Sequence, residues 1–382
     1  DQRYDEYWSA YEWAKATGGH GLRFKEPRLV VTLTDGSKQQ VELPDPTDFT
    51  DERRRLRTEM AGDATAVMPS PDELKKLVQN NKVKQPDWMP DWQWKRVKEL
   101  KEHGGGSIGR WSEWLESGDP RQYRKLVQNI LKTVPRYWKG WGIQDDLLLW
   151  YVYGDMLPEP VRAHIRAYWR AWLMPGMPTD RFFHPQSKQN LKYYKETGDW
   201  RGRKSFFRAG YNYTISTMNF NHTAAMGALL GGDIIDSQRA KADGRHGLEY
   251  LPMRLWAWYD GTTQESIDHY YYAITLSAQK MFADFGPRHL DRLMGQSILA
   301  KSVGELTSSY HPALRHFINT SGRTGISYLW VIQDGLQHII HTLSRDGALH
   351  DMQNEERHGM PRFGHDVAPA RVALQSLEQP WA

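Results

Sequence analysis

With 382 residues, 39% of them hydrophobic and 25% charged, the chain can bury a sizeable core, and its composition fits one large domain or two unequal ones. The formal charge of +4 arises from 50 basic residues dispersed among 46 acidic ones, which excludes the concentrated basic stripe of a nucleic-acid binder and allows a modest preference for anionic ligands. Zero cysteines exclude disulfides, thiolate metal sites and a Cys nucleophile without fixing the compartment, and no run of about eighteen apolar residues offers a membrane span.

The chain starts at Asp1, with neither Met nor a basic and apolar leader, which reads as a processed or engineered start. Residues 4–16 carry a short helix-like pattern. Between Leu29 and Leu43, two alternating runs flank Asp35-Gly36, a strong local signal for a β-hairpin, and residues 1–66 form an N-terminal region around it. Ser70-Pro71-Asp72-Glu73 supplies an N-cap, a first-turn proline and a capping-box glutamate for a helix through Leu77.

Helical periodicity then recurs over 91–102, stopped by Gly104-Gly105-Gly106, over 121–133 and over 144–154. It continues over 160–173, 186–197, 204–230, 263–285, 287–310 and 324–345. Segments 204–230 and 263–285 are apolar on more than one face, which suits inner helices covered by an outer layer. Without a repeat of fixed period, the prediction is a mainly α protein whose residues 67–346 form an α/α toroid of helical hairpins, an incomplete barrel. The stretches 174–187 and 231–252 read as surface loops, where function collects. Residues 347–382 read as a polar, irregular tail.

The chemistry concentrates in two strings. Asn221-His222 lies on one predicted inner helix, and Asp260-Gly261-Thr262-x-x-Glu265 leads into Tyr270, 48 residues after His222. In this order the strings resemble the heparinase II/III-like and alginate-lyase-like polysaccharide lyases over roughly 204–285, with Tyr270 at that family's catalytic tyrosine and Asn221-His222 at its Asn-His pair. The chain departs from the pattern at Ile267-Asp268, where a Ser or Pro-rich step is usual, and it lacks the large β-sandwich that usually follows. The resemblance implies a secreted or periplasmic enzyme acting on an anionic polysaccharide or oligosaccharide. It also implies a shortened relative or a fragment, with the third catalytic group coming from a second chain, a missing β domain or elsewhere in this sequence.

The residues themselves allow that chemistry. Abstracting the proton α to a uronate carboxylate builds an enolate-like dianion, so a donor must neutralise the carboxylate while a base sits near the carbon. Asn221 offers an amide N–H, and His222 either helps neutralise or acts as base. Tyr270, its phenol lowered by a cation such as Arg208 or Arg245, can take the proton or return one to the leaving oxygen. Arg245-His246 reads as an anion-recognition pair, Tyr310-His311 as a source of the third group, and Glu265 as a further substrate contact.

Each residue also has a plainer role. An Asn-His on a helix often packs with satisfied hydrogen bonds, three consecutive tyrosines point in three directions, so that Tyr271 reads as structural, and Glu265 suits a helix first turn. The 15 histidines include His338 and His341 at helical spacing and His311 and His316 five apart, but no HExxH or acidic cluster accompanies them, so no metal is expected. No GxGxxG after a strand, P-loop or GxSxG elbow occurs, and no cofactor is expected. With 17 Trp, 19 Tyr and 11 Phe, aromatic packing is dense, and sugar platforms use the same side chains.

Two rivals follow. One is an inverting glycoside hydrolase on the same scaffold, with Asp260 or Glu265 as acid and Asp233 or Asp236 as base. The other is a non-catalytic helical binding or scaffold subunit that uses exposed Trp88, Trp92, Trp94, Trp111 and Trp114 as partner contacts.

Overall fold

The computed structural model describes residues 28–32, 38–42, 69–80, 83–131, 143–173, 218–257, 271–311, 316–317, 335–343 and 367–375. These residues are mainly α-helical. Strand β1 (Arg28–Thr32) pairs antiparallel with β2 (Lys38–Glu42), with Arg28 opposite Glu42 and Thr32 opposite Lys38. The intervening Asp35-Gly36 lies outside the described residues, as do the predicted helices 4–16 and 186–197 and the loop 174–187.

The first helix, α1 (Pro71–Gln79), starts where its cap signals place it. The Ser70 hydroxyl accepts the Glu73 N–H at 3.3 Å, and Glu73 Oε2 accepts the Ser70 N–H at 2.7 Å, closing the reciprocal box. Helix α2 (Asp91–His103) ends at Gly104. The glycine run stops α2 as predicted, and a further helix, α3 (Gly106–Glu116), which periodicity did not indicate, begins at once. Gly104, Gly105 and Gly106 all hold positive φ, of 62°, 87° and 65°, which turns the chain between two helices instead of ending helical structure. The first turn of α3 is capped from outside, because Asp145 Oδ2 accepts the Ser107 N–H at 2.8 Å.

Helices α4 (Pro120–Leu131), α5 (Ile143–Tyr153) and α6 (Glu159–Leu173) follow, with a 3₁₀ turn at Gly154–Met156 after α5. Next come α7 (Met218–Ile234), α8 (Gln238–Ala257), α9 (Tyr271–Phe285) and α10 (His289–Ser308). A two-residue bridge pairs β3 (Tyr310–His311) with β4 (His316–Phe317). Helices α11 (Gly335–Leu343) and α12 (Pro369–Gln375) complete the described residues.

Every residue of α9 from Tyr272 to Phe285 is buried, as its many-sided apolar pattern predicts. Helix α9 packs on α7, α10, α11 and α12, while α7 packs on α5, α6, α8 and α9. Sequence and structure part at residues 231–252. The predicted loop is the end of α7 and most of α8, and only a tight link near Asp236, with φ 51°, separates the two. Gly244 within it is a contact point: a Cβ there would stand 2.2 Å from the Leu229 nitrogen, so glycine lets α8 lie against α7.

The predicted irregular tail is corrected as well. Helix α12 packs on α2, α3, α5, α9 and α11, and its Val372, Ala373 and Leu374 are buried, so residues 367–375 belong to the helical core. Nor are the five tryptophans of 88–114 exposed. Trp111 is buried, Trp88, Trp94 and Trp114 pack half-buried against the core, and half-buried Trp92 lies under the Arg96 guanidinium at 5.4 Å. Arg96 over Trp92 and Arg110 over Trp114, at 6.0 Å, cover two of these rings, contacts that periodicity does not register.

Candidate functional site

Asn221 and His222 stand in the first turns of α7 with no solvent exposure. His222 Nδ1 lies 2.8 Å from the Met218 carbonyl, which can only accept, so Nδ1 carries the proton. Nε2 then accepts from the Gln279 amide on α9 at 3.1 Å. Both ring nitrogens are thus engaged in one neutral tautomer that ties α7 to α9. Gln279 itself is fully buried.

Tyr270, Arg208, Glu265 and Asp260 lie outside the described residues. Tyr271 and Tyr272 open α9 immediately after Tyr270. From Tyr271 to Gln279 is eight helical steps, a rise of about 12 Å, so His222 meets α9 more than two turns from its start. Tyr272 is a structural anchor: its hydroxyl bonds the Ser302 carbonyl at 2.8 Å and Glu305 Oε2 at 2.9 Å. Burial, reinforced by the Glu305 carboxylate, raises that phenol well above its ordinary range.

Arg245 and His246 do not act as one basic pair. Arg245 is directed inward to Asp291, with Nε at 2.8 Å and Nη2 at 3.0 Å from the two carboxylate oxygens, while His246 is exposed. Successive helical residues diverge by about 100°, which separates the two side chains on α8. Arg288 joins the same carboxylate at 2.8 Å. Burial alone would raise the Asp291 pKa, but the bonds from Arg245 and Arg288 outweigh it and hold the carboxyl down to about 2. Arg245 therefore serves the α8–α10 contact.

The remaining candidates are scattered. His311 is exposed in the β3–β4 bridge, directly opposite His316, and Tyr310 faces Phe317 in the register. Asp233 accepts the Tyr151 hydroxyl at 3.1 Å, and the exposed Asp236 pairs with Lys241 at 2.8 Å. Asp233 lies twelve helical steps from Asn221, a rise of about 18 Å, so it belongs to the other end of α7. His338 reaches the Val367 carbonyl at 3.3 Å and His341 the Glu99 carboxylate at 3.2 Å. Among the described residues no three His, Cys, Asp or Glu side chains form a metal-holding group.

A buried polar seam escaped the sequence reading. Gln144 donates to the Ser277 hydroxyl at 2.5 Å, Ser277 donates to Gln375 Oε1 at 2.8 Å, and Gln375 returns a bond to the Ser277 carbonyl at 2.8 Å. Arg371 Nε meets Asp145 Oδ1 at 2.5 Å, and Lys280 forms a buried ion pair with Asp284. One signal could have found the last pair: Lys280 and Asp284 are opposite charges four apart inside an otherwise apolar run, where neither is tolerated alone.

No protein family, curated protein or solved structure was found to match this chain.

Proposed function

We propose that the chain is a polysaccharide lyase on an α/α toroid, cleaving a uronate-containing glycan by β-elimination. One observation carries the reading: α7, which holds Asn221-His222, packs along α9, and the first residue of α9, Tyr271, directly follows Tyr270 in the chain. Tyr270 as phenolate removes the proton α to the carboxylate. The electrons of that C–H bond form the new carbon–carbon double bond, the β carbon–oxygen bond breaks, and the leaving oxygen takes the proton back from Tyr270. Because Asn221 and His222 are fully buried, they position α7 against α9 in this mechanism, and neutralisation of the substrate carboxylate falls to a cation such as Arg208. The substrate is an anionic polysaccharide met in a secreted or periplasmic setting, and a second chain or β domain supplies the third group.

Ultraviolet absorbance of the protein incubated with uronate polysaccharides tests the proposal, since elimination creates a conjugated unsaturated uronate. Rising absorbance that is lost in Tyr270→Phe is the expected result. Reducing ends released without absorbance would replace elimination with hydrolysis. The second reading, a non-catalytic helical binding protein, is favoured by the burial of Asn221 and His222. Retention of a polysaccharide with neither product would select it.

A further inference from the structure

Helix α10 has two faces. It packs on α9 and α8, with Gly295, Ile298, Leu299 and Leu306 buried. Its outer face exposes Leu290, Leu293, Ser297, Ala300, Gly304 and Thr307, which recur at alternating intervals of three and four residues. They form one uncharged stripe about 25 Å long. Leu290, 55% exposed, and Leu293, 43% exposed, are the exposed large hydrophobics among the described residues. Other helices present charge to water: α2 exposes Asp91, Lys95, Lys98 and Glu102, and α4 exposes Arg121, Arg124 and Lys125. A neutral stripe led by two leucines suits a contact face.

Gly304 points independently to a partner helix. Glycine weakens a helix interior, and at Gly295 the reason is internal, since a Cβ there would stand 2.5 Å from the Ala283 nitrogen. At Gly304 a Cβ would meet nothing within 4 Å among the described residues, and φ is not positive. Neither packing nor backbone conformation within the chain therefore calls for glycine at 304. A second helix laid across the stripe does, because the lack of a side chain lets the two approach closely.

The stripe complements itself when reversed. About a two-fold axis between residues 298 and 299, Leu293 of each copy lies over Gly304 of the other, Leu290 over Thr307 and Ser297 beside Ala300. Each leucine meets a smaller residue, and each contact is made twice. In parallel order leucine would stack on leucine and the small residues would face a gap. Charge favours the same order. Arg288 and Arg292 stand at the start of α10 and Glu305 near its end, so reversal sets a basic end beside an acidic one and the helix's negative pole. Parallel order would bring the two basic ends together.

We infer that α10 is the interface of an antiparallel, two-fold dimer of this chain, in which Leu293 of one copy fills the space over Gly304 of the other. One helix per copy falls short of the roughly 800 Å² per partner of a standard interface, so the dimer is weak, with Kd on the order of 100 µM. The surface is independent of the Tyr270 chemistry and is read by mass instead of activity, so its failure leaves the lyase proposal where it stands.

Sedimentation velocity of the full chain between about 10 µM and 1 mM tests the inference. The average mass should rise with concentration toward that of a dimer. Leu293→Glu and Gly304→Leu should each weaken association at least about tenfold with helical circular dichroism unchanged. The chain holds no cysteine, so single replacements report the register. Leu290→Cys and Thr307→Cys, mixed and oxidised, should form a disulfide between copies, and neither should crosslink alone. A monomer across the whole range would overturn the dimer and leave the stripe to a different partner. A dimer untouched by both Leu293→Glu and Gly304→Leu would place the interface elsewhere, and self-crosslinking of Leu290→Cys would overturn the antiparallel order. Should Leu293→Glu fail to fold, Gly304→Leu at its open position still decides.

Discussion

The contacts of α5 with α12 and of α7 with α9 both bury polar side chains, with opposite electrostatics. Between α7 and α9 the link is neutral: one imidazole tautomer shared between a carbonyl of its own helix and an amide across the interface. Between α5 and α12 it is ionic: Arg371 Nε lies 2.5 Å and Nη2 3.2 Å from the Asp145 oxygens, and the same carboxylate takes the Ser107 N–H at the start of α3. The neutral link joins helices 57 positions apart in the chain, the ionic one residues 226 apart. Apolar burial alone would let a seven-residue helix such as α12 settle in more than one register. A buried charge with one matching partner penalises every register but one.

That difference can be broken most severely at the ionic contact. Arg371→Met removes a buried cation and leaves Asp145 uncompensated, and destabilisation of about 3–5 kcal/mol is expected from urea unfolding. Adding Asp145→Leu should restore part of the loss and not all of it, because Ser107 then loses its cap. Full additivity of the two losses would contradict a direct pair. At the neutral contact the expected cost is smaller. His222→Leu or Gln279→Leu strands one buried partner for about 1–3 kcal/mol, and the double variant should cost less than the sum. A double-variant cost equal to the sum of the two single costs would mean that the two side chains do not cooperate in holding α7 on α9.

How much of this was readable beforehand depended on whether a residue's local and tertiary demands agreed. At Ser70-Pro71-Asp72-Glu73 they agree, and the helix starts where the capping box places it. At α9 a long apolar run allows no other environment than the interior, and its burial follows. At Gly244 they disagree: glycine is locally a breaker, yet it is required where α8 approaches α7, and the segment read as a loop is helix. Helix α12 was hidden for a related reason, since seven residues in a polar tail hold too little periodicity to declare a buried face. Of the proposed site, Asn221 and His222 were correctly set on an inner helix, but their full burial depends on α9, which only the tertiary packing reveals. Arg245 was legible as a basic residue and illegible as the partner of Asp291, 46 positions later.

The ionic contacts should also separate from the neutral one in their response to acid. Asp291 has its folded pKa depressed to about 2, below the ordinary 3.8 of an aspartate, so its contribution is present above about pH 4 and is lost as pH falls from about 4 through about 2. Because Arg288 is half-exposed and screened, the loss is expected to be about 1–2 kcal/mol. Asp291→Asn should flatten unfolding free energy across that window, and an unchanged slope would show that the carboxylate is not held by its two arginines.

The smallest effect should come from His341, where charged and neutral contributions compete on one ring. Burial lowers its pKa most, the hydrogen bond and charge of Glu99 pull it back up, and Arg96 and His338 push it down again; the net direction is downward from 6.5. A folded pKa below the unfolded one means that the unfolded chain takes up the proton first. Stability therefore falls as pH drops below about 6.5, until the folded state is protonated too. Removing the opposing carboxylate sharpens the test. In Glu99→Gln the carboxylate no longer favours the imidazolium, so the folded pKa should fall further and the acid-side loss should extend to lower pH, by about 1 kcal/mol or less. Unfolding midpoints between pH 7 and pH 5 measure it. A narrower window in Glu99→Gln would reverse the sign and mean that Glu99 does not stabilise the charged ring across the α2–α11 contact.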